Sequence, residues 1–441
     1  MKPLSRTRER GWGEGKLSAV ALITHRTPFH EKAQTSTTLA QHPAAESHSR
    51  NPNTTQRSSS CHRHAVDATP ACDYGVGVPI SVPAMLRSLA LAGVCVMLAG
   101  FALSSPVPPL SLSERLAAPG GTSPLVPTER IDALLAQLPH QQGSVAGSDG
   151  VRLHWIAFDP GNYQLDYRYL GKGKHFPEFS MDASAPAPSA IAPRGTVILL
   201  HGWMMDGGSL LPWALELAQN GYRTIALDLR NHGRSGHAPS GYGTREGEDV
   251  VAALQTLKAE GQISGPVHLL GVSYGAATAI FAARELGPQL RSVVAMESFD
   301  NAGQAIRTMV PHMLSRPPER LSDYVALPLA RWQYGGSGLD DAIAATDHKL
   351  GIDLDRVDVG QALAQVPACV LLVHGRDDAH IPVAQGRALA AAAPHARYLE
   401  VAGEDHLTLP MRLDRLSNVV NHWFAESGDN NHCPAVPAGA V

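Results

Sequence analysis

The chain has 441 residues, 44% apolar and 17% charged, a globular composition with room for one large domain or two to three smaller ones. Its net charge is −4, and residues beyond 84 hold 26 Lys/Arg against 34 Asp/Glu, which argues against a nucleic-acid partner. The five cysteines (Cys61, Cys72, Cys95, Cys369 and Cys433) show no regular spacing, so no disulfide framework is expected.

Residues 1–84 are rich in Ser, Thr, His, Asn and Pro and show no periodicity beyond "LSAVALI", which predicts a disordered extension. Cys61, His62, His64 and Cys72 lie in it with a spacing that fits no standard zinc module, so no metal is expected there. Met85 opens "MLRSLALAGVCVMLAGFALSS", an arginine followed by an apolar run over 89–103 and a small-residue exit. That layout predicts a signal peptide or membrane anchor over 85–105, with Met85 as the natural start and 1–84 as an over-extended reading frame. An exported or membrane-anchored protein follows, with membrane association through 85–105.

A Pro- and Leu-rich linker is expected over 106–149, with a short helix at 129–138. "VRLHWIAF" (151–158) and "YQLDYRYL" (163–170) flank the turn signal "DPGN" and predict an antiparallel hairpin. Residues 171–194 read as a loop. Strands then alternate with helices: strand 196–200, helix 209–221, strand 222–229, helix 246–261, strand 267–272, and a helix after Ser273. The series ends with strands 290–297, 368–375 and 396–403, and a helix over 382–394 between the last two. Continuous apolar strands between amphipathic helices define an α/β fold, a doubly wound and mostly parallel sheet covered on both faces. The core spans 150–300 and 368–428. The rhythm breaks over 301–367, which is helical in pattern and reads as a cap over the strand ends. Residues 429–441 read as a disordered tail.

Function in parallel sheets gathers at the carboxyl ends of strands. Four such ends carry reactive groups. "GVSYG" (271–275) sets Ser273 between two glycines at a strand-to-helix joint, where a sharp turn exposes the hydroxyl as a nucleophile. "HGRDDAHIP" (374–382) supplies Asp378, with Asp377 as competitor, to fix and stabilise an imidazole. "GEDHL" (403–407) supplies His406 as the base that takes the serine proton and returns it to the leaving group. "HGWMM" (201–205) turns after its strand, and the amides of Trp203 and Tyr274 are the expected oxyanion donors. Met204 and Met205 are candidates to line an acyl pocket, or to pack under the cap.

"VILLHGW", "GYRTIALDLRNHGRSG", "GVSYGAATA", "HGRDDAHIP" and "GEDHL" occur in the order found in the α/β-hydrolase superfamily, which this chain resembles over about residues 150–425. Its look is nearest to esterases, lipases and serine-aminopeptidase-like hydrolases with a small helical cap. The resemblance implies the triad Ser273, Asp378 and His406, the oxyanion donors Trp203 and Tyr274, and 301–367 as the cap. One departure is Asn231, where many relatives have glycine; asparagine tolerates the left-handed backbone such a turn requires.

The expected activity is hydrolysis of a carboxylic ester through an acyl-enzyme, without a cofactor, on a hydrophobic small-molecule acyl substrate. Amidase or peptidase action, acyl transfer to an alcohol, and a non-catalytic binding protein are the alternatives. No phosphate loop, dinucleotide fingerprint or metal motif occurs.

Overall fold

A computed structural model describes residues 111–123, 127–173, 177–185, 191–428 and 433–436. The expected extension 1–84 and the apolar segment 85–105 lie outside the described residues.

Helices α1 (Leu112–Ala117) and α2 (Thr128–Leu135) and strand β1 (Gln141–Ala146) come first. Ser111 and Glu114 form a capping box on α1, each side chain accepting the other's backbone N–H. The expectation of a linker over 106–149 is therefore corrected. Leu116, Ile131, Leu134, Leu135 and Val145 are all buried, so this stretch belongs to the core. Its elements are too short for their periodicity to stand out from a Pro- and Gly-rich background.

The predicted hairpin is also corrected. Strand β2 (Arg152–Phe158) pairs antiparallel with β1. Strand β3 (Gln164–Lys172) instead joins β4 (Pro177–Ser184) in a separate two-stranded sheet, so the expected loop 171–194 holds a strand. The turn at 159–163 is real, but it passes the chain from one sheet to another. Local sequence specifies a strand and its faces; the partner is chosen by long-range packing.

From β5 (Thr196–Leu200) the chain alternates through α3 (Leu211–Gln219), β6 (Arg223–Leu227), α4 (Thr244–Ala259), β7 (Val267–Val272), α5 (Tyr274–Leu286) and β8 (Leu290–Met296). Then come α6 (Ala302–Leu314), α7 (Asp323–Gln333), α8 (Ser337–Leu350) and α9 (Val359–Leu363). Strand β9 (Cys369–Gly375), α10 (Val383–Ala392), β10 (Arg397–Val401) and α11 (Leu413–Glu426) complete the order.

The main sheet has eight strands in the order β1-β2-β6-β5-β7-β8-β9-β10. All neighbours from β6 to β10 are parallel, and β2 pairs antiparallel with β6. Alternate residues feed two cores. Ile198, Leu200, Val293 and Leu372 face the side covered by α4, α5, α9 and α10; Val197, Leu199, Val294 and Leu371 face α3 and α11. The order reverses at β5, which lies between β6 and β7, and that reversal opens a crevice at the carboxyl ends of β5 and β7.

Helices α6, α7 and α8 occupy the predicted cap between β8 and β9. Val359, Ala362 and Leu363 of α9, like Ile306 of α6 and Ile343 of α8, are buried in the core on the α4/α5 side of the sheet.

Cys369, at the start of β9, forms a disulfide with Cys433. Cys433 and Val436 pack against the α3/α11 core. This corrects the expectation of a disordered tail at Cys433 and Val436, and adds a single bridge where no framework was expected. No spacing rule finds a single bridge whose cysteines stand 64 residues apart.

Candidate active site

The nucleophile candidate is built by backbone geometry. Ser273 joins β7 to α5 at φ +54° and ψ −113°, a strained conformation for a residue with a Cβ. Its two glycines are there for space. A Cβ on Gly271 would collide with the Gly275 carbonyl, and one on Gly275 with the Leu200 carbonyl. The Ser273 N–H donates to the Met296 carbonyl on β8 (2.8 Å), which pins the turn to the neighbouring strand.

The structure brings Ser273, His406 and Asp378 together. Ser273 Oγ lies 2.9 Å from His406 Nε2, and His406 Nδ1 lies 2.7 Å from Asp378 Oδ2. Asp378, an acceptor, requires the proton on Nδ1, which leaves Nε2 to accept from the serine hydroxyl. Asp378 Oδ1 accepts the N–H groups of His380 and Ile381, both at 2.8 Å. Burial alone would raise the Asp378 carboxyl. Facing His406, with hydrogen bonds from His374, His406 and the Ile381 amide, it is held well below the ordinary range. Asp377, the competitor, is exposed. The loop bearing His406 is folded by Asp405 and Thr408, which bond each other's backbone N–H groups, and Lys172 of β3 pairs with Asp405 at 2.9 Å.

The loop after β5 passes beside the serine: a Cβ on Gly202 would stand 3.7 Å from both Ser273 Cβ and Met205 Sδ. Among the described residues the Trp203 amide has no backbone acceptor. Tyr274 is the first residue of α5, so its N–H has no intrahelical acceptor. The loop is held by two buried, neutral histidines. His201 accepts the Leu229 N–H (3.0 Å), and His232 accepts the Met204 N–H (3.2 Å) while its Nδ1 donates to the Arg230 carbonyl. Burial, then the nearby His201, lowers His232 to about 3. Met204 sits at φ +59°, and Gly121 lies so close to it that a Cβ there would stand 2.9 Å from the Met204 carbonyl oxygen. The N-terminal strap around Gly121 thus buttresses this loop. Asn231 has φ +71°, the left-handed turn the sequence implies.

Three residues were not singled out from the sequence. Glu297 follows β8 directly, at φ +55°, fully buried, with Oε2 3.7 Å from His406 Nδ1. Neither carboxyl oxygen makes a hydrogen bond; the Gly375 amide is nearby but out of bonding geometry. Burial foremost, then the charge of Asp378, pushes the Glu297 carboxyl well above the usual range. The rule that pointed to Asp378, a carboxylate just past a buried strand, applies equally to Glu297. The other two are His380, whose ring stacks on His406 at 5.3 Å, and His312 of α6, which meets His380 at 4.4 Å. Burial, then His406, then His312 lower His380 to about 4.

Glu297, Asp378 and His406 are also the one set among the described residues whose ligand atoms lie near enough to hold a metal ion, within 4.8 Å of one another. Two of the three are already committed to each other and to backbone amides, which makes the set a poor cage.

A strand–serine–helix turn beneath a switch-point crevice, with a histidine and a carboxylate in hydrogen-bonded sequence, defines the hydrolase class of doubly wound proteins. The model of the alpha/beta hydrolase family matches residues 197–418, and the chain belongs to that family. The chain is similar to a pimeloyl-[acyl-carrier protein] methyl ester esterase of Xanthomonas oryzae pv. oryzae, 27% identical over 251 residues covering 52% of this chain and 94% of that protein. It is similar to the AB hydrolase superfamily protein YisY of Bacillus subtilis, 25% identical over 51% of this chain and 89% of that protein. Among solved structures, an esterase of Pyrococcus furiosus superposes with a TM-score of 0.49 at 17% identity, covering 70% of this chain and 99% of that one.

Proposed function

We propose that the protein hydrolyses a carboxylic ester through an acyl-enzyme on Ser273. The observation that carries this reading is the unbroken relay Ser273 Oγ–His406 Nε2 and His406 Nδ1–Asp378 Oδ2. In this reading His406 takes the Ser273 proton as Oγ attacks the ester carbonyl, and Asp378 stabilises the imidazolium that forms. The amides of Trp203 and Tyr274 receive the oxyanion, each contributing roughly 3 kcal/mol in the transition state. His406 then protonates the departing alkoxide, and the same groups activate water against the acyl-enzyme. Every step uses side chains and amides of this chain alone.

The relatives named as methyl ester esterases favour an ester over an amide. Met204 and Met205 of the loop that passes beside Ser273 favour an apolar acyl chain. Action in an exported or membrane-anchored form is supported by the apolar run over 89–103 and by the Cys369–Cys433 disulfide, which persists in oxidising compartments.

A fluorophosphonate probe on the full chain, with Ser273→Ala beside it, tests the nucleophile. Labelling of the unsubstituted protein alone is expected; equal labelling of both, or none of a folded protein, refutes it. Hydrolysis of matched p-nitrophenyl esters then tests the acyl pocket: longer acyl chains are expected to outperform acetate.

A further inference from the structure

Helix α7 of the cap is amphipathic in the wrong sense for a surface helix. Its inner face carries Asp323 and Leu327, both buried. Its outer face carries Tyr324, Val325, Leu329 and Trp332, and Leu321 precedes it on the same side. These five are among only seven large apolar side chains that stand exposed among the described residues; Leu321 is 90% and Trp332 80% accessible. A contiguous apolar stripe with an aromatic at each end is a binding surface rather than scattered exposure.

We propose that this face of α7 docks the cap onto an anionic lipid bilayer. Three observations select a bilayer over another protein. First, the stripe mixes Leu and Val with Tyr and Trp, the aromatics that settle at the headgroup level with one polar atom wet. Second, the charged side chains around α7 sum to one net positive charge, Arg316, Arg320 and Arg331 against Glu319 and Asp323. Asp323, the acid of α7, is turned inward and paired with Arg316 at 2.8 Å. Arg320 and Arg331 form no ion pair among the described residues; Arg331 instead bonds the carbonyls of Leu314 and Arg316, which fixes α7 to the preceding turn. Third, the chain enters the described structure at this end of the cap. The Leu112 N–H donates to the Tyr334 hydroxyl at the C-terminus of α7 (3.3 Å), and Thr346 and Lys349 of α8 reach Ser113 and Glu114 of α1. In sequence, the apolar run over 89–103 ends eight positions before Ser111. An apolar run that close in sequence to α1 favours a lipid over a protein occupant, for which the α7 stripe is a contact of its own. The docking itself stands on α7 and does not depend on the ester reading.

Trp332 is the reporter. The full chain is mixed with vesicles of phosphatidylglycerol brominated on the acyl chains, and tryptophan quenching is compared with that of Trp332→Phe. Trp155, Trp213 and Trp423 are buried and Trp203 is partly covered, and both proteins carry Trp12→Phe, so the difference between them isolates Trp332. Quenching of the protein that keeps Trp332, absent from Trp332→Phe, is expected. Leu329→Asp with Val325→Asp is expected to weaken that quenching about tenfold or more, since charges are placed where apolar side chains enter the interface. Far-UV circular dichroism and melting temperature establish that the variants fold. Phosphatidylcholine vesicles and raised salt are expected to reduce the effect. Binding to vesicles with no quenching of Trp332 means that another part of the chain holds the protein, and overturns the docking. A concentration-dependent dimer in solution that Leu329→Asp dissolves, with Trp332 shielded from lipid, assigns the stripe to a second copy and likewise overturns it.

Discussion

Replacing Glu297 by Gln is the substitution whose outcome follows most directly from the geometry. Glu297 is fully buried, has no hydrogen-bond partner, and faces the charged Asp378. In the unfolded chain it ionises near the ordinary 4.5; in the folded chain it stays protonated well above that. The native state therefore holds a proton that the unfolded state releases, and stability falls as pH rises past 4.5 until the native carboxyl itself ionises. The loss runs from the ordinary carboxyl range upward to the pH at which the native carboxyl ionises. Gln is neutral in both states and nearly the same shape. Glu297→Gln is expected to gain stability relative to the parent as pH rises from 4 to 7, the difference being smallest near pH 4. Urea denaturation at pH 4, 5.5 and 7 measures this. A variant less stable by the same amount at every pH would refute the reasoning, because it would mean that the native carboxylate is ionised or bonded. A stabilising substitution 3.7 Å from His406 would also mark Glu297 as kept for function at the expense of stability.

Asp378→Asn is expected to lower kcat about ten-thousand-fold while leaving the fold intact, since Asn cannot hold the His406 Nδ1 proton as an acceptor and receive both amides; steady-state ester hydrolysis reads it. Stability is expected to drop as pH falls below about 6.5: His380, lowered to about 4, binds its proton in the unfolded state first, a loss on the order of 1–2 kcal/mol after allowance for partial exposure. His380→Phe should remove that acid-side loss in denaturant titrations at pH 7 and pH 5. Reducing the Cys369–Cys433 bridge, which closes 64 residues, is expected to remove about 2–4 kcal/mol, seen as a lower melting temperature in dithiothreitol and in Cys433→Ser. Gly275→Ala is expected to yield little folded protein, because the new methyl meets the Leu200 carbonyl and no rotamer relieves it; soluble yield and melting temperature are the readouts.

What the sequence determined by itself was everything carried by short-range rules. Apolar runs bounded by turn residues place β5 through β9 and the helices between them, because a doubly covered strand must be apolar on both faces. The strand-end rule then offers Ser273, Asp378 and His406 as candidates, which the family resemblance joins into one set, and two glycines around a serine already imply a turn with no room for a Cβ. Asn231 was legible in the same way, as a residue type matched to its backbone.

Tertiary structure alone decided pairing and proximity. The 151–158 strand carries no mark of choosing β1 and β6 over its neighbour in sequence, since a strand's faces are local and its partner is not. Gly121 supports Met204, and Cys433 reaches Cys369, across distances in sequence for which no local pattern exists. Glu297 shows the limit most clearly. As a letter it is an ordinary acid after a strand. Its chemistry comes from burial and from its place beside Asp378 and His406. The outer face of α7 is the converse: its apolar pattern is written in the sequence, but only the packed structure leaves it facing outward.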